Sequence, residues 1–447
     1  MTAIAGIASP KKAPLVERML KIMKHRGQAW MEIRDNESTT FGITGFQSQE
    51  NARDGFCNNA LAKDGCVAAR FAQAQKNSNG FILKRDPIGV APLYYGRTED
   101  GELCFASEVK ALLLATPDIH ELPPGYQYDG NIFECHYSLK TYTPVTEKVE
   151  NITTNLRKKL EQSVEKSINQ GCNGSWLSGG LDSSVMAAIA RPRLKKLYTF
   201  AAGLPGAPDL NNARIMAEHI KSEHYEIVIQ LADILEVLPE VIYYLESFDA
   251  LLVRSSILNF LVARLASNYV QAVFSGEGGD ELFAGYEFLK DIPLENLSDE
   301  LIDIIGRLHN TALQRVDRSA SAHSTTPHVC FLDPDVVDYA LRIPVEYKLH
   351  QGVEKWILRQ SVSDLLPMEI LNRRKAKFWE GGGFLNLLTD YADQHISDGD
   401  FQKERYLEDG SKINSKEELL YYRIFAGYFG KAQNLCWMGR TKGVVAN

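Results

Sequence analysis

The spacing of apolar positions changes near residue 150. Before that point the apolar residues come in short runs broken by turn residues. Phe81-Ile82-Leu83 leads into Arg85-Asp86-Pro87-Ile88-Gly89, Leu93-Tyr94-Tyr95 follows, and Gly101 punctuates the chain before Leu103-Cys104-Phe105-Ala106. Short apolar runs bounded by Gly and Pro read as strands. Leu15, Met19, Leu20 and Met23 instead recur at helical spacing and predict one helix.

Beyond residue 150, Leu156, Leu160, Val164 and Ile168 mark one face of a long helix. Trp176-Leu177 then runs into a Gly-rich loop and the helical Val185-Met186-Ala187-Ala188-Ile189. Strands are predicted at 196–201, 225–229 and 272–274, with helices at 213–220 and over about 231–267 between them. This alternation predicts a parallel, doubly wound sheet. The rest of the chain reads as mainly helical. Turn clusters at Pro123-Pro124-Gly125 and Asp129-Gly130-Asn131 precede an aperiodic stretch at 141–149. The expected organisation is therefore a strand-rich domain at 1–140 and an α/β domain at 150–447.

Composition narrows the functional classes. The 447 residues are 45% hydrophobic and 24% charged, as in ordinary globular chains. A formal net charge of -8 argues against a general nucleic-acid binder. No run approaches the roughly 18 uncharged apolar residues of a membrane span, and the N-terminus has no basic n-region, so a cytoplasmic protein without a membrane partner is expected. The seven cysteines form no CxxC pair, which favours reduced thiols over disulfides or a zinc site.

Two loops carry the candidate chemistry, and both fall at carboxyl ends of predicted strands, where open α/β sheets bind ligands. The first is Ser178-Gly179-Gly180-Leu181-Asp182-Ser183-Ser184. Adjacent glycines let successive N–H groups point inward, three hydroxyls add donors, and the following helix offers its N-terminus to an anion. Asp182 inside a phosphate cradle is repulsive unless a cation intervenes, which implies Mg²⁺. The second loop is Ser275-Gly276-Glu277-Gly278-Gly279-Asp280-Glu281. Its Asp280 is the natural partner of Asp182 on the metal, and Glu277 is left for other work. A single Gly-rich turn is often only a tight connection; two, each with an Asp at an anion site, are not. Neither a Walker A sequence nor a GxGxxG fingerprint accompanies them.

Ser178 to Ser184 resembles the PP-motif of ATP pyrophosphatases, and the second loop resembles its counterpart in the asparagine synthetase B family, which includes β-lactam synthetases. The likeness continues in order through Ala202-Gly203-Leu204-Pro205-Gly206, Asp317-Arg318-Ser319, Phe331-Leu332-Asp333, Glu354-Lys355, Leu358-Arg359, and Arg374-Lys375 with Phe378. Arg85-Asp86, Pro92-Leu93-Tyr94, Ala106-Ser107-Glu108 and Lys110-Ala111-Leu112 resemble the family's glutaminase domain. The resemblance implies an N-terminal β-sandwich with helices of the N-terminal-nucleophile hydrolase type. It also implies a C-terminal PP-loop sheet with a helical end. Loop 178–184 would bind pyrophosphate from ATP, and Asp182 and Asp280 would hold Mg²⁺. Leu177, Ala202 and Gly276 would contact AMP, and Ser275 would belong to the same nucleotide- and pyrophosphate-binding set. Lys375 would stabilise charge at the adenylate, and Glu277 would orient or deprotonate an amine. The implied partners are a small-molecule or peptide carboxylate and ammonia or an amine; a homodimer is left open.

Departures from the family pattern are local. Thr2 stands where the glutaminase uses cysteine, the Asn-Gly-Glu and Arg-Leu-Ser segments have no match beside Gly45-Phe46-Gln47-Ser48, and Arg26-Gly27 is followed by Gln28-Ala29. These changes imply a non-hydrolytic scaffold. At the acceptor wall, Leu251-Leu252-Val253-Arg254 replaces Thr-Thr-Ile-Arg, and His328 replaces an arginine. A polar substrate beside two leucines would lose hydrogen bonds worth roughly 1–3 kcal/mol each. Arg254 could still grip a carboxylate. The expected function is an ATP-dependent amide-forming ligase whose carboxylate is not simply aspartate. The alternatives are an ammonia-dependent asparagine synthetase and a nucleotide-binding homologue without turnover.

Overall fold

Alternation within the first strand explains the N-terminal architecture. In Thr2–Ile7, the side chains of Ala3, Ala5 and Ile7 pack toward Val16, Met19 and Leu20 of helix Ala13–Ile22. Ile4 points the other way, into a core with Phe41, Phe81 and Phe105. Gly6 has no room for a side chain there: a Cβ would lie 2.6 Å from the Phe105 ring. The strand is buried on both faces because it is central in a six-stranded antiparallel sheet facing a second, five-stranded one. The result is the expected β-sandwich with a helix on one outer face. The computed structural model describes residues 2–46, 56–58, 70–77, 80–374, 386–431 and 434–441.

The C-terminal part is built on a five-stranded parallel sheet. Its order is Glu223–Val228, Tyr198–Gly203, Gly174–Trp176, Ala272–Phe274 and Thr326–His328. Helices Val149–Ile168 and Leu181–Ala190 belong to the core on one side, and Leu231–Leu245 and Ala250–Ser267 to the core on the other. The sheet is therefore doubly wound. Helix Ala250–Ser267 has the length and hydropathy of a span, but 67% of it is buried inside the fold.

One strand departs from the expected pattern. Thr326–His328 lies within the stretch read as helical, yet it extends the sheet in parallel with Ala272–Phe274. Pro327 masks it in the sequence. At this edge the flanking bonds run from Thr326 N–H to Gln271 O and from Ser275 N–H to His328 O, each 2.9 Å, so the missing proline donor costs no ladder bond.

The order in which strands are added reverses between the two central strands, which run parallel. From Gly174–Trp176 the sheet grows one way through Tyr198–Gly203, while Ala272–Phe274 lies on its other side. The crevice of such a doubly wound sheet opens at this switch point, beyond the carboxyl ends of the strands. Loops 178–184 and 275–281 emerge on either side of it.

Candidate active site

The first loop is held by its own hydroxyls. Ser178 N–H donates to Ser183 Oγ and Gly180 N–H to Ser178 Oγ, each at 3.3 Å, and Ser183 Oγ donates to Gly180 O at 3.2 Å. Helix Leu181–Ala190 starts immediately after, with Gly180 as its N-cap. The first intrahelical bond runs from Ser184 N–H to Gly180 O at 3.1 Å, so the N–H groups of Leu181, Asp182 and Ser183 precede the ladder, at the cavity edge. The second loop packs against the first backbone to backbone. A Cβ on Gly276 would lie 2.8 Å from Ser183 N, and one on Gly279 would lie 2.5 Å from Asp182 Oδ1. Both glycines are required by this approach.

The two aspartates converge. Lys355 Nζ lies 2.5 Å from Asp182 Oδ2 and 2.7 Å from Asp280 Oδ1, with its side chain only 3% exposed. The lysine adopts a left-handed backbone conformation, φ 55°, at the start of helix Trp356–Ser361. That strain is of the kind functional sites store. One ammonium between two carboxylates leaves the cluster acidic. Among the described residues no group of three or more His, Cys, Asp or Glu is arranged to hold a metal alone. Two carboxylates beside a phosphate-binding loop do fit Mg²⁺, which takes one or two carboxylates and completes its shell with phosphate oxygens and water.

These groups line a cavity of about 590 Å³, within the range of ligand pockets. Leu177, Ser178, Gly180, Leu181, Asp182, Ser183, Ala202, Ser275, Gly276, Glu277 and Asp280 all line it. Gly179 and Ser184 do not. Gly179, φ 67°, turns against Asn212 and Ala213, and Ser184 is buried in the fold. Arg315 bonds Glu277, and both face the cavity. Beside them Glu281, which accepts from the Tyr286 hydroxyl, is pushed up to about 7 by burial and then by the charges of Asp280 and Glu277.

Among the cations lining the cavity that carried no assigned role in the sequence, Lys355, Arg315 and Arg373 act on the two loops. Arg373 donates to Ser178 O at 3.1 Å and pairs with Asp209 at 2.5 Å, tying the phosphate loop to the helix after the second strand of the sheet. The family order Glu354-Lys355 was the available signal for the first; nothing in the local sequence marks the other two. Lys375, Phe378, Gln47 and Ser48 lie outside the described residues.

The acceptor wall divides. Leu251 and Leu252 line the cavity. Arg254 and His328 are not among its lining residues. Arg254 donates through Nε to Glu417 at 3.0 Å and through Nη2 to Thr389 at 3.2 Å. Its Nε–Nη2 edge, the one that grips a carboxylate in two bonds, is thus taken by a protein partner, because Glu417 is buried and needs a cation. His328 sits on the edge strand near Arg70. Its imidazole is pushed down to about 3 by burial and then by that charge, which makes it a neutral group outside the cavity wall.

A doubly wound sheet with paired glycine-rich acidic loops, a shared lysine and a deep cavity at the switch point defines an α/β enzyme that handles a magnesium-bound nucleotide. The family model described as "Asparagine synthase" matches residues 155–308 and 294–416, and one described as "Glutamine amidotransferase domain" matches residues 64–114. Asparagine synthetase [glutamine-hydrolyzing] 2 of Arabidopsis thaliana is 33% identical over 394 residues, covering 83% of this chain and 68% of that protein. Asparagine synthetase B [glutamine-hydrolyzing] of Escherichia coli K12 is 33% identical over 384 residues, covering 80% and 69%. This chain belongs to the asparagine synthetase family. It is an ATP-dependent, AMP-forming carbon–nitrogen ligase that uses ATP with Mg²⁺ to join a carboxylate to a nitrogen donor.

Proposed function

We propose that this ligase activates a carboxylate other than aspartate and takes its nitrogen from ammonia or an amine, without hydrolysing glutamine itself. The observation that carries the reading is the acceptor wall: two leucines face the cavity, while Arg254 is engaged by Glu417. An aspartate there would meet two leucine side chains, an Arg254 held by Glu417, and a Ser255 hydroxyl whose proton already goes to Leu252 O at 3.0 Å. In the same reading residues 1–140 are a scaffold domain, 150–447 the synthetase domain, and the protein acts in the cytoplasm.

The chain's groups have definable roles. The N–H groups at the start of helix Leu181–Ala190, the hydroxyls of loop 178–184 and the Lys355 ammonium hold the β- and γ-phosphates as they leave as pyrophosphate. Asp182 and Asp280 would hold Mg²⁺, which when bound neutralises phosphate charge. Leu177, Ala202 and Gly276 border the adenylate, and Ser275 stands beside them. A carboxylate oxygen of the substrate attacks the α-phosphorus, and the acyl-adenylate so formed is attacked by the amine nitrogen. Glu277, fixed by Arg315, orients that amine and accepts its proton, a contribution of roughly 10²–10⁴-fold for a positioned base. Lys375 stabilises the tetrahedral oxyanion.

Thr2 supports the absence of glutaminase activity. It stands where the family's nucleophilic cysteine belongs, and a hydroxyl supplies far less nucleophile at pH 7 than a thiol. The test is a carboxylate screen with MgATP and either ammonium or glutamine, following AMP and pyrophosphate. The reading expects product with ammonium, none above background with glutamine, and weak use of aspartate. Efficient asparagine formation would favour the ammonia-dependent synthetase instead, and ADP with phosphate as products would sink both.

A further inference from the structure

Resting on the reading of the cavity as an adenylation site, we infer that the C-terminal strap, residues 434–441, completes the acceptor subsite and that Arg440 supplies its carboxylate-binding charge. The strap crosses several elements on its way to the cavity. Cys436 Sγ contacts Ile119 O of the sandwich at 3.7 Å, and Trp437, buried, lies between Tyr94 and Phe425, with ring centroids 6.5 and 6.3 Å away. Gly439 passes so close to Asn310 that a Cβ would lie 2.6 Å from Oδ1.

Its end is clamped to the acceptor helix. Asp249 caps helix Ala250–Ser267 by accepting Leu252 N–H at 2.9 Å. The same carboxylate accepts Thr441 Oγ1–H at 2.7 Å and Thr441 N–H at 3.1 Å. The residue that sets the start of the leucine-bearing turn therefore also holds the strap against it. Arg440 and Thr441 face the cavity together with Leu251 and Leu252.

Arg440 is placed to do what Arg254 does not. Consecutive buried glutamates of helix Lys416–Phe429 hold the two arginines: Glu417 takes Arg254, and Glu418 takes one nitrogen of Arg440. The Arg440 guanidinium also lies over the Phe248 ring, 4.8 Å from its centroid, which fixes its plane. Among the described residues Arg440 is engaged only through Nη1, with Glu418, and the side chain is 33% exposed. Its remaining donors can pair with a carboxylate. A fixed guanidinium beside two leucines suits an anionic group carried on an apolar body, such as an aromatic or branched aliphatic carboxylic acid.

Calorimetric titration of the full chain with 3-phenylpropanoate and with its uncharged amide tests this, both with saturating Mg–α,β-methylene-ATP and without nucleotide. The wild-type chain should bind the acid about tenfold more tightly than the amide, a preference of about 1.4 kcal/mol. Arg440→Gln should bring the two affinities together while leaving that for α,β-methylene-ATP unchanged. Glu418→Gln, which perturbs the same pair but keeps the guanidinium, should retain the preference, so a general loss of packing is distinguished from loss of the charge. An unchanged preference in Arg440→Gln, or none in the wild-type chain, overturns the assignment. Failure of the wild-type chain to bind the nucleotide would count against the adenylation reading instead, and the nucleotide-free titration then decides the role of Arg440.

Discussion

Charged residues gather in two places in this protein, and the two gatherings are built differently. Between the sandwich and the synthetase half, Arg26, Glu108, Lys110, Glu246, Asp317 and Arg318 form a buried network. Glu108 meets Arg26 Nε at 2.5 Å and Lys110 Nζ at 2.7 Å, and Arg318 meets Glu246 at 2.8 Å. Burial alone would raise the Glu108 carboxyl, but the charges of His25, Lys110, Arg26 and Arg318 hold it well below the usual range. In the cavity, the acids Asp182 and Asp280 share Lys355, Arg373 braces the phosphate loop, and all four face open volume. Charges matched by protein partners serve the docking of one half on the other; charges facing a void are set for a ligand. The contrast predicts that substitutions in one set change activity and in the other stability.

The largest effect is expected at the cavity. Asp182→Asn or Asp280→Asn should lower carboxylate-dependent ATP–pyrophosphate exchange by about 10²–10³-fold or more, with unfolding in urea little changed. A comparable loss of stability would erase the distinction. Glu108→Gln is the converse: leaving Arg26 and Arg318 under-compensated in the interior should cost about 3–5 kcal/mol in urea unfolding. Wild-type stability in that variant would mean the network is replaceable.

Acid titration sharpens the same line at a third contact. Glu121 joins Arg85 of the sandwich at 2.7 Å to His309 of the synthetase half at 2.9 Å. Burial would raise its carboxyl, but His309 and Arg85 outweigh that and bring it down to about 2. A lowered folded-state value stabilises the fold above the unfolded carboxyl range near 4.5, and that stabilisation is lost as pH falls toward about 2. It amounts to at most about 3 kcal/mol. Glu121→Gln should be less stable at pH 7 and lose less between pH 4.5 and 2 than the wild-type chain in equilibrium unfolding. The smallest effect concerns specificity: Leu251→Thr with Leu252→Thr should raise kcat/KM for aspartate by about tenfold, one good hydrogen bond's worth.

Much of this arrangement was legible beforehand. The loops announce themselves because glycines, hydroxyls and acids are packed into seven consecutive residues, and the alternation of strand and helix puts them at the sheet's carboxyl edge. The edge strand at Thr326–His328 was not legible, since three residues with a central proline carry no period. Nor were the long-range partners. Glu417 takes Arg254 from 163 residues away, and Lys355 reaches Asp182 across 173. An arginine's sequence neighbours do not reveal whether its fork is already filled. The strap is hidden for the same reason: Arg440 acquires meaning only when Asp249 holds Thr441 beside the leucines.

The proposed function requires the cavity to adenylate a carboxylate less polar than aspartate. The direct measurement is exchange of labelled pyrophosphate into ATP, with L-aspartate and 3-phenylpropanoate compared on the same enzyme without a nitrogen donor. Exchange should depend on the added acid and be at least about tenfold more efficient, in kcat/KM, for the apolar acid, a difference of about 1.4 kcal/mol. Faster exchange with aspartate would contradict it.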